Sequence, residues 1–190
     1  MDMFGSINYS LLRVPEKRIE LSSAFSSELG KFLGASSFVT LNESLKFRWF
    51  PHATGEDLVI NGSFRTGKIF GTAPFDQYFV LGVERDTDLM LRAHKSSIDK
   101  KGENPFAPAY LLWNWDISKI VMEKKLIRWR LAPFVDVGKV SGSDLWKENH
   151  WFLDTGIQSG FQVLKSVEVV FTYGKDLRKG RNVFYINAKL

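Results

Sequence analysis

Apolar and polar residues alternate along almost the whole of this 190-residue chain. In SVEVVFTYG, residues 166–174, the odd-numbered positions are apolar or aromatic, whereas Glu168 and Thr172 lie between them. An extended strand points successive side chains to opposite faces, so a period of two predicts a strand with one apolar and one polar face. The chain is therefore predicted to be all-β.

This alternation predicts about nine or ten strands, and most connections between them are short and turn-like. Short connections favour antiparallel pairing of consecutive strands. One connection, about residues 84–108, is long and rich in charge, Gly and Pro, and the segment 75–83 is either a strand or only the root of this loop. The predicted strands lie near residues 5–13, 18–32, 38–50, 57–71, 75–83, 107–121, 125–139, 151–163, 166–174 and 182–190.

The composition argues against several classes of function. The chain has no Cys, which excludes disulfides and thiolate metal sites. The net charge is +5, but the basic residues are scattered, which argues against a nucleic-acid partner. No nucleotide-binding or hydrolase motif is present, so neither an enzyme nor a cofactor is predicted. His52, His94 and His150 lack ligand spacing, so they are expected at the surface and no metal site is predicted.

Alternation alone fits a soluble β-sandwich as well as a membrane barrel, and soluble β proteins are the commoner class. Two features favour the barrel. Gly and polar residues share the middle of one face, as in DTGIQSGFQ, residues 154–162, which suits a wet lumen. Aromatic residues that suit membrane interfaces also recur near the predicted strand ends, namely Trp49, Tyr110, Trp129, Trp151, Tyr173 and Tyr185.

Residues 74–190 contain three short motifs in order: an apolar stretch before the long loop, a tip within that loop, and a strand motif after it. Their residues are Phe79, Leu81 and Gly82, then Leu91, Arg92, Ala93 and His94, then Phe134, Asp136 and Gly138. In this order the motifs resemble those of the C-terminal barrel half in the bacterial surface antigen family, which includes the outer-membrane proteins BamA and TamA. Ala93 and His94 stand where that family has a Gly and an aromatic residue.

The resemblance implies the C-terminal half of a 16-stranded antiparallel transmembrane β-barrel, so residues 1–190 are expected to be one partial barrel domain. The first strands and the periplasmic POTRA domains would be absent, and the sheet would be curved and open. The loop of residues 84–108 is expected to fold inward, where Arg92 would pair with Asp136. The chemistry agrees, because a lumenal carboxylate needs a partner that a guanidinium can supply with two hydrogen bonds. Alternation places Arg128 and Arg130 on the lumenal face.

The same resemblance implies a non-enzymatic protein of the bacterial outer membrane that assembles, inserts or translocates other proteins. Its partners would be outer-membrane lipid, unfolded or secreted protein substrates, and assembly-complex subunits that bind the absent N-terminal domains. A passive porin-like or structural barrel is the alternative, and it would lack the inward loop and the Arg92–Asp136 pair. A soluble β-sandwich that serves as a binding module is the third possibility.

Overall fold

The computed structural model of the chain describes residues 3–31, 37–52, 57–82, 89–94, 105–142, 151–163 and 166–189, and their side chains except those of residues 3–15, 31 and 189. This part consists of β-strands and two single turns of 3-10 helix, at Pro15–Lys17 and Phe75–Gln77. No helix in it is long and apolar enough to cross a membrane. The strands are β1 (Met3–Val14), β2 (Ile19–Lys31), β3 (Ser37–Trp49), β4 (Leu58–Gly71), β5 (Phe79–Val80), β6 (Phe106–Ala107), β7 (Ala109–Lys124), β8 (Ile127–Ser141), β9 (Trp151–Val163), β10 (Val167–Asp176) and β11 (Asn182–Lys189).

Nine of these strands form a single antiparallel sheet in the order β1-β2-β3-β4-β7-β8-β9-β10-β11. The prediction of a large antiparallel all-β sheet is therefore confirmed. β5 and β6 form a separate two-stranded ladder, and β4 pairs directly with β7. The described part of the segment 75–83, residues 75–82, is thus no strand of the main sheet but the root of the long loop, which was the second of the two predicted possibilities.

The sheet is open and curved. β1 and β11 lie at its two edges and pair with no further strand among the described residues, so the sheet does not close into a barrel. Lys46 on β3 and Asn187 on β11 nevertheless line the same cavity of about 440 Å³. In a flat sheet, the six intervening strand spacings of about 4.8 Å would separate these two residues by about 29 Å. The sheet must therefore curve around the cavity.

One face of the sheet is polar, and its side chains are in register across many strands. Residues directly opposite one another on β2, β3, β4, β7, β8, β9 and β10 form a continuous line, which we call the polar row. Its members are Ser22, Lys46, Ser63, Asn114, Asp136, Asp154 and Asp176. Residues that are far apart in sequence thus lie at the same height on this face.

The opposite face is apolar, and its large side chains are exposed. The adjacent positions of five strands form a second line across it, consisting of Leu45, Phe64, Trp113, Val137 and Leu153. Trp113 is 45% exposed, and Leu45 and Leu153 are 37% and 39% exposed. A second sheet would cover such a face in a soluble β-sandwich, but no second layer packs on it within the described part of the chain.

The aromatic residues near the strand ends divide between the two faces. Trp49 at the end of β3 and Trp151 at the start of β9 are about two-fifths exposed on the apolar face. Tyr110 and Tyr185 are only 3% exposed. Tyr110 packs in a buried apolar cluster and Tyr185 lines the cavity. The expectation that aromatic residues at strand ends mark an interface is therefore wrong for these two tyrosines.

Two glycines of β9 should respond differently to an added methyl group. A Cβ at Gly156 would overlap the carbonyl oxygen of Tyr173 and come 2.6 Å from Cζ of Phe134. The nearest atom at Gly160 is Oε1 of Glu168, 3.1 Å away at the end of a flexible side chain. Gly156→Ala should therefore lower the free energy of unfolding by about 2 kcal/mol or more, and Gly160→Ala by less than about 1 kcal/mol. Urea unfolding measures both values, and equal losses would contradict the described packing.

Candidate functional site

The described tip of the long loop, residues 89–94, lies on the polar face of the sheet and is called the loop tip below. Leu91 is fully buried and packs with Leu81 of the loop root and with residues of β7. The backbone N–H of Gly82 donates a hydrogen bond to the carbonyl oxygen of Leu89 at 2.9 Å. Apolar packing and backbone hydrogen bonding thus anchor the loop tip beside the polar row.

The acidic part of the polar row lies directly beneath the loop tip. Asp136, Asp154 and Asp176 are opposite one another on β8, β9 and β10, and none of them is more than 2% exposed. Like charges at opposite positions of neighbouring strands repel, and charges removed from water need partners. The fold therefore requires cationic groups or hydrogen-bond donors here, and the loop tip supplies them.

Arg92 makes a bidentate ion pair with Asp136. Its Nε lies 3.1 and 2.9 Å from the two carboxylate oxygens, and Nη2 lies 2.6 Å from Oδ1. The backbone N–H of Arg92 donates to Oδ2 at 3.0 Å, and the side-chain amide of Asn114 donates to Oδ1 at 2.8 Å. Nη2 also donates to the carbonyl oxygen of Trp115 at 3.1 Å. Both charges are thus partnered although the side chains are only 7% and 0% exposed.

The three residues of the Phe-x-Asp-x-Gly motif act on the loop tip in three different ways. The ring of Phe134 lies 4.0 Å from the guanidinium carbon of Arg92, a cation–π distance. Asp136 binds the same guanidinium from the next position on that face of β8. A Cβ at Gly138 would come 2.9 Å from Cδ2 of Leu91, so glycine leaves the space that this leucine occupies. The motif is therefore a complementary surface for the loop tip.

The next two residues of the loop tip contact the other two carboxylates. The backbone N–H of Ala93 donates to Oδ2 of Asp154 at 2.8 Å. Nδ1 of His94 lies 3.0 Å from the same oxygen, and Nε2 lies 3.5 Å from Oδ2 of Asp176. The imidazole also meets the ring of Phe152 edge-on at 5.4 Å. His94 is only 9% exposed, so the expectation that it lies at the surface is wrong.

The structure brings the two residues of the expected pair together, while the role of Arg92 and Asp136 in any function stays a prediction. Arg128 and Arg130 lie on the polar face, as alternation indicated, but each contacts a carboxylate. Arg128 pairs with Glu123 near the β7–β8 turn, and Arg130 pairs with Glu168. In the structure, these two arginines therefore neutralise nearby glutamates. Phe79 joins the same site by packing on Tyr110, with ring centroids 4.6 Å apart.

Asp176 was not selected from the sequence, and Asp154 was not recognised as part of the site. Alternation predicts which face of the sheet a residue occupies, but it does not predict which residue of the adjacent strand lies opposite it. The register that aligns Asp136 with both residues is set by the lengths of two hairpins. The third histidine, His150, and most of the long loop, residues 83–88 and 95–104, lie outside the described residues.

Comparison of the chain with models of known protein families, with curated proteins and with solved structures found no match. The fold and the site therefore rest on the chain's own residues and their geometry. The likeness to the bacterial surface antigen family stays a likeness of short motifs.

A double-mutant cycle should show strong coupling between Arg92 and Asp136. Arg92→Ala should lower the free energy of unfolding by about 3–5 kcal/mol, because it leaves a buried carboxylate without its cation. Asp136→Ala should cost a similar amount, and the double variant should fall short of the sum of the two losses by at least about 1.5 kcal/mol. Denaturant titration of the four proteins gives this coupling energy.

The pair formed by Arg128 and Glu123 is the matched control, because its side chains are 43% and 53% exposed. Its coupling energy should be about 1 kcal/mol or less. Coupling energies of the same size in the two cycles would show that the buried pair has no special role in stability.

Proposed function

We propose that this chain forms a sector of a bacterial outer-membrane β-barrel that assembles, inserts or translocates other proteins. The observation that supports the membrane part of this proposal is that charged side chains are buried while large apolar side chains are exposed. Asp136 and Asp154 are fully buried, whereas Ile117 is 48% and Phe184 is 64% exposed. In water this arrangement is unfavourable at both faces, but a hydrocarbon environment stabilises the apolar face and a lumen accommodates the polar one.

The lengths of the strands fit the same proposal. β2, β3 and β9 each have 13 residues, whereas strands of soluble proteins average about 5–6 residues. A 13-residue strand that rises about 3.3 Å per residue and tilts by about 45° spans about 30 Å. That is about the thickness of the hydrocarbon core of a bilayer.

The two open edges require further strands if the sheet lies in a membrane. The edges are at β1 and β11, and unpaired backbone groups cost several kcal/mol each in hydrocarbon. We infer that strands from another part of a longer chain, or from other copies, complete the barrel. An accessible edge strand such as β11 is also a surface on which an incoming extended segment can pair.

The loop tip supports an active role over a passive one. Long loops that are not linkers are usually functional, and the described tip of this one, residues 89–94, is held on the polar face by buried contacts. The protein-handling activity itself rests on the resemblance of the motifs around Arg92 and Asp136 to the bacterial surface antigen family. The proposed partners are accordingly outer-membrane lipid and unfolded or secreted proteins.

Site-directed spin labelling should separate the two faces of β7. The chain has no native Cys, so single cysteines can be placed at the consecutive positions Ile117 and Ser118. In lipid vesicles, a label at Ile117 should collide mainly with oxygen, which concentrates in the bilayer, and a label at Ser118 mainly with a water-soluble nickel chelate. Power-saturation EPR measures both accessibilities. High chelate accessibility at both positions would show that β7 does not lie in the bilayer.

Arg92→Ala and Asp136→Ala should each reduce the activity proposed here. In proteoliposomes containing the full-length protein, each variant should slow the insertion of an unfolded β-barrel client by about tenfold or more, since each frees the loop tip from β8. The double variant should be little worse than either single one, because the two residues act as a unit. Client insertion is measured by protease protection, under conditions in which heat-modified electrophoretic mobility shows each variant to be folded.

Arg128→Ala is the control for loss of an arginine from the same face of β8, and it should insert the client at nearly the wild-type rate. The alternative function, a passive porin-like or structural barrel, gives a different result. It would conduct solutes or do nothing, and client insertion would be the same with and without the protein.

A further inference from the structure

We propose that His94 and Asp176 bind a divalent transition-metal ion, such as Zn²⁺, which ties the loop tip to β10, and that Asp154 positions the imidazole and offers its free oxygen to a water on the ion. The three residues come from the loop tip and from two directly paired positions of the sheet. One ligand atom from each of them lies within 4.8 Å of the other two. The inference concerns metal chemistry and holds whether or not the proposed membrane function is correct.

Two buried polar atoms of this cluster lack a hydrogen-bond partner. They are Nε2 of His94 and Oδ1 of Asp154, in residues that are 9% and 0% exposed. Buried polar groups are nearly always hydrogen-bonded, or bound to water or an ion, so these two atoms mark a place where such a partner fits. Both belong to residue types that bind transition metals.

The geometry of the imidazole fits a metal ligand. Nδ1 lies 3.0 Å from Oδ2 of Asp154, so a proton on Nδ1 can be donated to this carboxylate and Nε2 keeps its lone pair. A metal-binding histidine usually donates its other ring N–H to a carboxylate in this way, which fixes its tautomer. Nε2 lies 3.5 Å from Oδ2 of Asp176. That separation is long for a hydrogen bond but close to the ~3.4 Å between two ligand atoms that are each about 2.1 Å from a tetrahedral zinc ion.

The remaining carboxylate oxygens are placed consistently with this role. Oδ1 of Asp176 accepts the backbone N–H groups of Arg178 and Lys179 at 2.9 and 3.2 Å, which holds the carboxylate in position. Its Oδ2 is then the oxygen directed towards His94. Asp154 uses Oδ2 for the N–H of Ala93 and the imidazole, and Oδ1 remains for the ion or for a water bound to it.

The charge of the site favours a dication. The buried carboxylates of Asp136, Asp154 and Asp176 contribute three negative charges, and Arg92 contributes one positive charge against them. With a neutral His94, two negative charges are left on these three carboxylates. A divalent ion between His94 and Asp176 would neutralise both of them and remove the repulsion between Asp154 and Asp176.

The donor set selects the class of metal. One imidazole nitrogen with carboxylate oxygens suits Zn²⁺ and its first-row neighbours. Mg²⁺ and Ca²⁺ prefer sites made only of oxygen, so they should bind poorly. Water would complete the coordination.

Equilibrium dialysis of the folded 190-residue chain against Zn²⁺, followed by elemental analysis, tests the proposal. The wild type should retain about one Zn²⁺ per chain, and the same dialysis against Mg²⁺ should leave none. His94→Phe keeps a ring against Phe152 but has no nitrogen, and it should bind Zn²⁺ at least tenfold more weakly. Asp176→Asn should show a similar loss, and its amide oxygen can still accept the two turn N–H groups.

His52→Asn is the matched control, because His52 also contacts an aspartate, Asp57, but at an exposed position. It should bind Zn²⁺ as the wild type does. A wild type that binds no Zn²⁺, or a His94→Phe variant that binds it as tightly as the wild type, overturns the proposal. Should His94→Phe fail to fold, Asp176→Asn decides in the same way: an Asp176→Asn variant that binds Zn²⁺ as tightly as the wild type overturns the proposal.

Discussion

The structure depends on the burial of three carboxylates that face one another across β8, β9 and β10. Asp136, Asp154 and Asp176 have almost no contact with solvent, and a buried charge without a partner typically costs several kcal/mol. Arg92 and the backbone N–H groups of the loop tip reduce this cost. The position of the loop tip is therefore set by the charge of the sheet as well as by the apolar packing of Leu91.

Burial of the same carboxylates favours the register that the hairpins set. Because side chains alternate with a period of two, a shift of one residue between β8 and β9 would move every side chain of one strand to the other face. If β9 shifted in this way, Asp154 would lie beside Val137 on the exposed apolar face, and Ala93 and His94 would lose their contacts with its carboxylate. The alternating pattern and the contacts of the polar row consequently favour the same register. Because the local sequence pattern and the tertiary contacts agree, a single folded state is favoured.

The sequence was sufficient for the features that depend on local pattern. Alternation predicted the long strands and the polar and apolar faces, and the resemblance of the short motifs to the bacterial surface antigen family implied the contact between Arg92 and Asp136. It was insufficient wherever the answer depends on the register of neighbouring strands. Asp176 and His94 meet only because two hairpins bring β9 and β10 to the right height and the loop tip reaches them. Tyr110 and Tyr185 were misplaced for a similar reason, because proximity to a strand end says nothing about which face a ring occupies.

Glycines let the loop tip lie close to the sheet, and this closeness limits how it can move. Gly138 leaves the space that Leu91 fills, and a Cβ at Gly174 would come 3.2 Å from Cβ of Ala93. If the loop tip left the sheet, it would therefore open gaps at Gly138 and Gly174 and separate Arg92 from Asp136 in the same step. Because these losses occur together, displacement is favourable only when water or another cationic segment reaches the carboxylates as the loop tip departs. Under the proposed function, a client segment that carried basic residues would meet this condition.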